Sequence, residues 1–349
     1  MSKNLSQTIQ TIDELKAFIQ EFSWLSDFFA IDFLITDYWN TKFPDDWKFL
    51  QFERLETLCD IVAKGKVDPS WPDSLKEFIH KATNLGLNRF PSNDLKYCQL
   101  DKEVEIGMKQ KKIAEVKSTA VYIDDICVKN GVTHILDFGA GQGYLSSVLA
   151  YQYGYNVIAV DSDILQTSGG EQRAKRILNL YSLHQKQVRG VLSQAAQRWE
   201  DYPAIKESLR RLFYRSVLQK LLVDNKIVIT SQDQSDAIKS TNGEVAIKKL
   251  GAQACTNPVT YTKAALERLG CEQKLEDGLV LGTFEWYASV QSQIAAIWTL
   301  RTMLANVIES LILTDRCIYM SENNFNVDLI AMADPDVSPR NMAIIVTKK

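Results

Sequence analysis

One stretch constrains the fold more than any other: Thr133-His-Ile-Leu-Asp-Phe-Gly-Ala-Gly-Gln-Gly143, answered by Asn156-Val-Ile-Ala-Val-Asp161. Ile135 and Leu136 run into a turn that holds Gly139, Gly141 and Gly143. Tyr144, Leu145, Val148 and Leu149 then recur at helical spacing, and Gly154 punctuates the end. The second apolar run, Val157 to Val160, stops on Asp161. This order predicts strand, glycine turn, helix, strand, the opening half of a nucleotide-binding sheet.

The glycine spacing then narrows the ligand. A dinucleotide fingerprint, G-x-G-x-x-G, has its third glycine three residues after the second, and its amides and helix N-terminus hold a pyrophosphate. Here the third glycine follows after two residues, and Asp137 lies two residues before the first. A carboxylate beside the turn repels a pyrophosphate and suits a cationic ligand. S-adenosylmethionine (SAM) carries a sulfonium and an amino group and no phosphate. Asp161 is then a candidate acceptor for both ribose hydroxyls. The pattern resembles motif I and the following acid of class I SAM-dependent methyltransferases, with Asp137, Gly139, Gly141 and Gly143 at the methionine end and Asp161 at the ribose.

Bulk properties exclude some partners and leave others. The 349 residues carry 40 basic and 43 acidic side chains, a net charge of −3, so no overall field recruits nucleic acid. The six cysteines, at 59, 98, 127, 255, 271 and 317, are scattered and the chain has three histidines, which argues for reduced thiols and against a zinc site. Met1 to Gln20 is polar and unlike a secretory signal, and no run is expected to reach the length of a membrane span. The expectation is an intracellular protein, cytoplasmic or nuclear, with no membrane partner. RNA is not supported by charge, and a protein partner is open.

N-terminal to the glycine turn the pattern is helical. Ile9, Ile12, Leu15, Phe18, Ile19 and Phe22 form a stripe, and an aromatic-rich segment runs from Trp24 to Trp39. Without interleaved Lys or Arg, these aromatics predict a packed core rather than a base-stacking platform. Pro44-Asp-Asp-Trp47 marks a break before a helix from Leu50 to Val62, and Trp71-Pro-Asp-Ser opens another. Val104 to Lys129 predicts one long helix, with Ile113, Val116, Ala120, Ile123 and Cys127 on one side and a stop at Asn130-Gly131.

Several segments together, namely Gly107-Met-Lys-Gln-Lys-Lys-Ile-Ala-Glu-Val116, Trp71-Pro-Asp-Ser-Leu-Lys, the Asp137 turn and Ser338-Pro-Arg-Asn341, resemble the methyltransferase-like protein 25 family. Its members are often described as ribosomal RNA adenine dimethylase-domain-containing. The resemblance implies that the basic start of the long helix helps hold the SAM carboxylate, which makes Lys111 and above all Lys112 candidates. It departs from the family at Ala114, where members commonly have His.

Beyond Asp161 the reading is a loop at Gly169-Gly170 and a helix from Glu171 to Leu183. Only Val188 to Leu192 and Lys226 to Thr230 then read as strands, and residues 194–223 are helical. The family's Gly-Leu-His-Thr-Cys-Gly-Asp-Leu and Cys-Cys-Tyr-His segments are absent, as though a block were lost near residues 184–196. A loop and short helix are expected over Ser231 to Gly251. Thr256-Asn-Pro-Val-Thr-Tyr261 invites comparison with the Asn-Pro-Pro-Tyr motif of adenine N6-methyltransferases. Its spacing is wrong, and a proline-started turn before a helix from Tyr261 to Leu269 is the simpler reading. A long helix through Thr314-Asp-Arg316 and a hairpin, Val327–Met332 with Met342–Thr347, complete the chain, with Arg340 in its turn.

The expected architecture is α/β: a Rossmann-like class I methyltransferase sheet, incomplete in its middle, with a helical region over 1–100. The methyltransferase domain covers 101–349 and carries a helical insertion at about 194–320. The expected function is that of a SAM-dependent methyltransferase-like protein with its acceptor open between RNA and protein. No residue stands out as catalytic base and no metal site is expected. Two rivals are a catalytically inactive SAM-binding adaptor and an NAD-dependent oxidoreductase, the latter disfavoured by the glycine spacing and Asp137.

Overall fold

The computed structural model describes residues 5–89, 97–183, 202–227, 237–239, 245–247, 250–251, 253–271, 273–332 and 341–348. Its first helix, α1 (Leu5–Glu21), buries Leu15 and Phe18 from the predicted stripe. Short helices α2 (Ser23–Ser26) and α3 (Tyr38–Thr41) frame the aromatic segment. Leu25, Phe28, Phe33, Tyr38 and Trp39 are buried there, a core as expected, though residues 27–37 form turns rather than one helix. The next element begins at Pro44 as a 3-10 helix (Asp45–Phe52), and α4 (Leu55–Lys64) starts only after extended Arg54. The expected helix from Leu50 is thus two elements. In α5 (Asp73–Leu85), Pro72 precedes the first turn, and Ser74 accepts from Trp47 Nε1 (2.8 Å) while donating to Asp46 (2.8 Å).

The predicted long helix from Val104 is also broken. A single turn, α6 (Lys102–Glu105), is followed by Gly107 at φ +84°, a conformation that ends the helix, and α7 runs from Gln110 to Asn130. Gly131 closes α7 in the left-handed region, as expected. Strand β1 (His134–Phe138) leads through the glycine turn to α8 (Tyr144–Ser147), which continues as a π-helical turn over Val148–Gln152. Strand β2 (Asn156–Val160) pairs parallel with β1 in the register His134–Asn156 to Phe138–Val160. Val116, Ala120, Val148, Leu149 and Ile177 form the core on one face of this pair. Helix α9 (Ile164–Leu183) begins earlier than predicted, because Asp163 Oδ1 accepts from the amide of Leu165 (2.8 Å) and starts the helix before Gly169 and Gly170.

Residues Val188 to Leu192 lie outside the described residues, as do 228–230 of the second strand candidate. Helix α10 (Tyr202–Asp224) bears out the helical reading of 194–223 from residue 202 onward, burying Leu209, Phe213, Val217, Leu221 and Leu222, while 194–201 lie outside the described residues. Where a loop and short helix were expected, β3 (Ala237–Lys239) and β4 (Val245–Ile247) pair antiparallel. The β-branched Val245 and Ile247 favour strand over helix. The chain continues through α11 (Pro258–Arg268), α12 (Asp277–Trp286) and α13 (Val290–Glu322). By length and composition α13 is apolar enough to cross a membrane, which corrects the expectation that no run reaches that length. Its stripe of Ile294, Ile297, Leu300, Leu304 and Val307 is fully buried in the protein's own core. Strands β5 (Phe325–Ala331) and β6 (Met342–Lys348) form the expected antiparallel hairpin, whose Arg340 lies outside the described residues. Buried Asn341 donates to the carbonyl of Arg89 (2.6 Å), and its own carbonyl accepts from Met332 (2.8 Å).

Two compact units result. One joins residues 1–87 to 199–316 around a single helical core. The other comprises 88–198 and 317–349 and contains both β1–β2 and β5–β6. Among the described residues these two strand pairs share no hydrogen bonds, so a continuous class I sheet is not formed by them.

Candidate functional site

The loop between β1 and α8 brings five of the six predicted site residues together. Gly139, Gly141 and Gly143 have φ of +74°, +55° and +64°, where an L side chain is strained. A Cβ at Gly139 or Gly141 would meet nothing within 4 Å, so these two positions border open space rather than packed protein. The loop is tied down from within. The amides of Gly139 and Ala140 both donate to the carbonyl of Val160 (2.7 and 3.1 Å), and that of Gly143 donates to Ala140 (2.9 Å). The Gly141 amide donates to Asp161 Oδ2 (2.8 Å). Four of the loop's backbone donors are therefore already engaged.

The two acids flank this loop differently. Asp137, near the end of β1, accepts from the buried Ser146 hydroxyl on α8 (2.6 Å). Asp161, just past β2, accepts from Gly141 and, at Oδ1, from the amide of Asp163 (2.9 Å). Those amides, Asp163 first and then Gly141, hold the Asp161 carboxyl below the ordinary carboxylate value. Each oxygen keeps room for a further donor.

Lys112 stands apart from this constellation. On the first turn of α7 it pairs with Glu115 (2.8 Å), and Lys111 lies 3.7 Å from the same carboxylate, both lysines being exposed. The connection between the start of α7 and the loop is made by residues the sequence did not single out for the site. The Tyr144 hydroxyl, one residue past Gly143, donates to the carbonyl of Gly107 (2.9 Å). Arg173 of α9 lies over the Tyr144 ring, 4.3 Å from its centroid, and donates to the carbonyls of Val104 and Ile106. Gly169 and Gly170 pack on Gln142 and the loop backbone. A glycine pair inside a helix was the only sequence signal available for that contact.

The Asn257 segment resolves as a cap. Asn257 Oδ1 accepts from the amide of Thr260 (2.9 Å), Thr260 reciprocates toward the Asn257 amide, and Pro258 occupies the first helical position. Tyr261 is buried edge-on against Tyr214, its hydroxyl pushed up to about 12 chiefly by burial, and is not presented for stacking on a base.

A family model described as a methyltransferase domain matches residues 111–255, the stretch that holds this strand, triple-glycine turn, helix and parallel strand ending in an acid. Over 141 residues, 40% of its length, the chain is 30% identical to the "probable methyltransferase-like protein 25" of Mus musculus and of Homo sapiens. In the match the chain spans 21% of the length of those relatives. No solved structure gives a significant match. The matched domain runs through residues 184–196, where the sequence comparison with the family suggested a lost block.

Proposed function

We propose that this chain binds SAM in the Gly139–Gly143 loop and is the cofactor half of a class I methyltransferase. One observation carries the reading: four of the loop's amides are spent on Val160, Ala140 and Asp161, while carboxylates stand at both ends of the element and the loop borders open space. A pyrophosphate needs those amides as donors and meets repulsion from the acids. SAM needs neither concession, because its amino group and sulfonium are cationic and its ribose hydroxyls donate. When bound, SAM supplies an electrophilic methyl group for in-line attack by a nucleophile. The chain's own contribution is to hold the donor: Asp137 toward the amino group, Asp161 toward the ribose, the glycines leaving space between, and Lys111 and Lys112 as candidates for the carboxylate.

The test is displacement of labelled SAM from the 349-residue chain. S-adenosylhomocysteine (SAH) is expected to compete and NAD is not. Competition by NAD alone supports the oxidoreductase instead.

A second reading, that the chain is an inactive SAM-binding adaptor, is favoured by a separate observation. Among the described residues β1 has β2 as its sole paired strand, and Leu136, Phe138, Ile158 and Val160 are exposed on one face. A class I acceptor pocket forms at the carboxyl ends of further strands beside β1. On this reading the purified chain binds SAH yet transfers no methyl group, and turnover on any acceptor overturns it. RNA as acceptor rests on the family description alone, and an intracellular location on cysteine usage.

A further inference from the structure

One helix, α9, packs on both the glycine loop and the α6–α7 turn. On α9, a Cβ at Gly169 would meet the Gln142 side chain at 3.2 Å, and one at Gly170 would lie 3.6 Å from the Gln142 backbone. The helix thus packs directly on the loop, most tightly between Gly169 and the Gln142 side chain. One turn further on, Arg173 is only 5% exposed. Burying a guanidinium is costly unless its donors and face are matched. Here it covers the Tyr144 ring and points two nitrogens at the carbonyls of Val104 and Ile106. Tyr144 in turn donates to the carbonyl of Gly107. Three carbonyls of the α6–α7 turn, those of Val104, Ile106 and Gly107, are held by these two side chains. Tyr144 adjoins Gly143, so whatever fixes the turn also fixes the end of the loop. Two residues past Tyr144, Ser146 holds Asp137, the acid assigned to the amino group.

We propose that Arg173 is a positioning residue for the methionine end of SAM. It clamps the Val104–Gly107 turn and Tyr144 into one body, which sets the start of α7, with Lys111 and Lys112, relative to the cofactor loop. The ribose end depends on Asp161, which is held by Gly141 and Asp163 and not by this clamp. The proposal rests on the SAM reading above and makes a demand that a general packing role does not: loss of Arg173 discriminates between ligands with and without the methionine tail.

The experiment measures binding of SAH and of methylthioadenosine, which lacks the amino-acid tail, to the full chain. Wild type is expected to bind both, SAH more tightly. Arg173→Gln is expected to lose about tenfold in SAH affinity while methylthioadenosine stays within about twofold. Arg173→Lys, which keeps the charge without the planar fork, recovers part of the loss. Equal losses for the two ligands, or none for either, overturn the proposal. If Arg173→Gln does not fold, Tyr144→Phe keeps the ring and removes only the bond to Gly107; a selective SAH loss of about threefold supports the clamp, and unchanged SAH affinity overturns it. Wild type that binds neither ligand sinks the cofactor reading and this proposal together, whereas a bound wild type with an indifferent variant sinks the proposal alone.

Discussion

At the end of β2 the Asp161 carboxylate accepts from the Gly141 and Asp163 amides, and those bonds lower its pKa. A lowered folded pKa means that the charged form is favoured in the folded loop. The contribution is therefore complete above the ordinary value of 3.8 and is lost as pH falls through the lowered folded value. Melting temperatures of wild type and Asp161→Asn are expected to differ at neutral pH and to converge in strong acid; a constant gap down to that range contradicts the assignment. The same substitution removes the charge of the proposed ribose acceptor, and SAH affinity is expected to fall about tenfold by calorimetry. A folded Asp161→Asn with unchanged affinity removes Asp161 from the site. At Asn257 the opposite is expected. Asn257→Ala loses a capping box and about 1 kcal/mol of stability in urea unfolding, while SAH affinity stays as in wild type. A selective loss of binding there revives the adenine-motif reading of that segment.

The β1–turn–α8–β2 element was legible because each of its signals is local. Positive-φ glycines, a period of four in Tyr144, Leu145, Val148 and Leu149, and an acid closing an apolar run all lie within one supersecondary unit. Where the sequence misled, the deciding contact was remote. Gly107 interrupts a clean helical period because Arg173 and Tyr144, distant in sequence, hold the turn around it. Gly169 and Gly170 read as a loop, yet they lie within α9 and pack on Gln142 and the glycine loop. Lys112 was drawn from a family resemblance, and its observed partner, Glu115, belongs to its own helix. The same element carries a liability that alternation along its strands did not reveal. Leu136 is 52% exposed, Phe138 75%, Ile158 65% and Val160 41%, and the register sets Leu136 beside Ile158 and Phe138 beside Val160. A contiguous apolar face of this kind is uncommon on a monomer. The purified chain is expected to enhance the fluorescence of an apolar dye, and Phe138→Ser to lower it by a clear fraction. No difference between the two contradicts an open face.

At the scale of the whole molecule, the chain builds each of its two units from two separated segments: the α/β unit is left at residue 198 and re-entered at 317. The helices between return to the N-terminal region, and Leu15, Phe78, Leu221, Ile294 and Leu304 share one core. Periodicity made those helices readable, but no local signal told which segments pack together, since shared burial is a property of the folded chain. The division leaves the cofactor loop, both flanking acids and the Arg173 clamp within residues 88–198 of a single unit. The proposed SAM site thus lies wholly within the α/β unit. Its most direct test is calorimetric titration of the full chain with SAH, beside Gly141→Leu. The substitution forces a branched side chain onto φ +55°, at a backbone cost of about 1–2 kcal/mol, and into the open side of the loop. The account predicts saturable one-site binding to wild type, none to Gly141→Leu, and the same far-ultraviolet helical signal in both. Binding of SAH to Gly141→Leu with wild-type affinity, or no binding to a folded wild type, contradicts it.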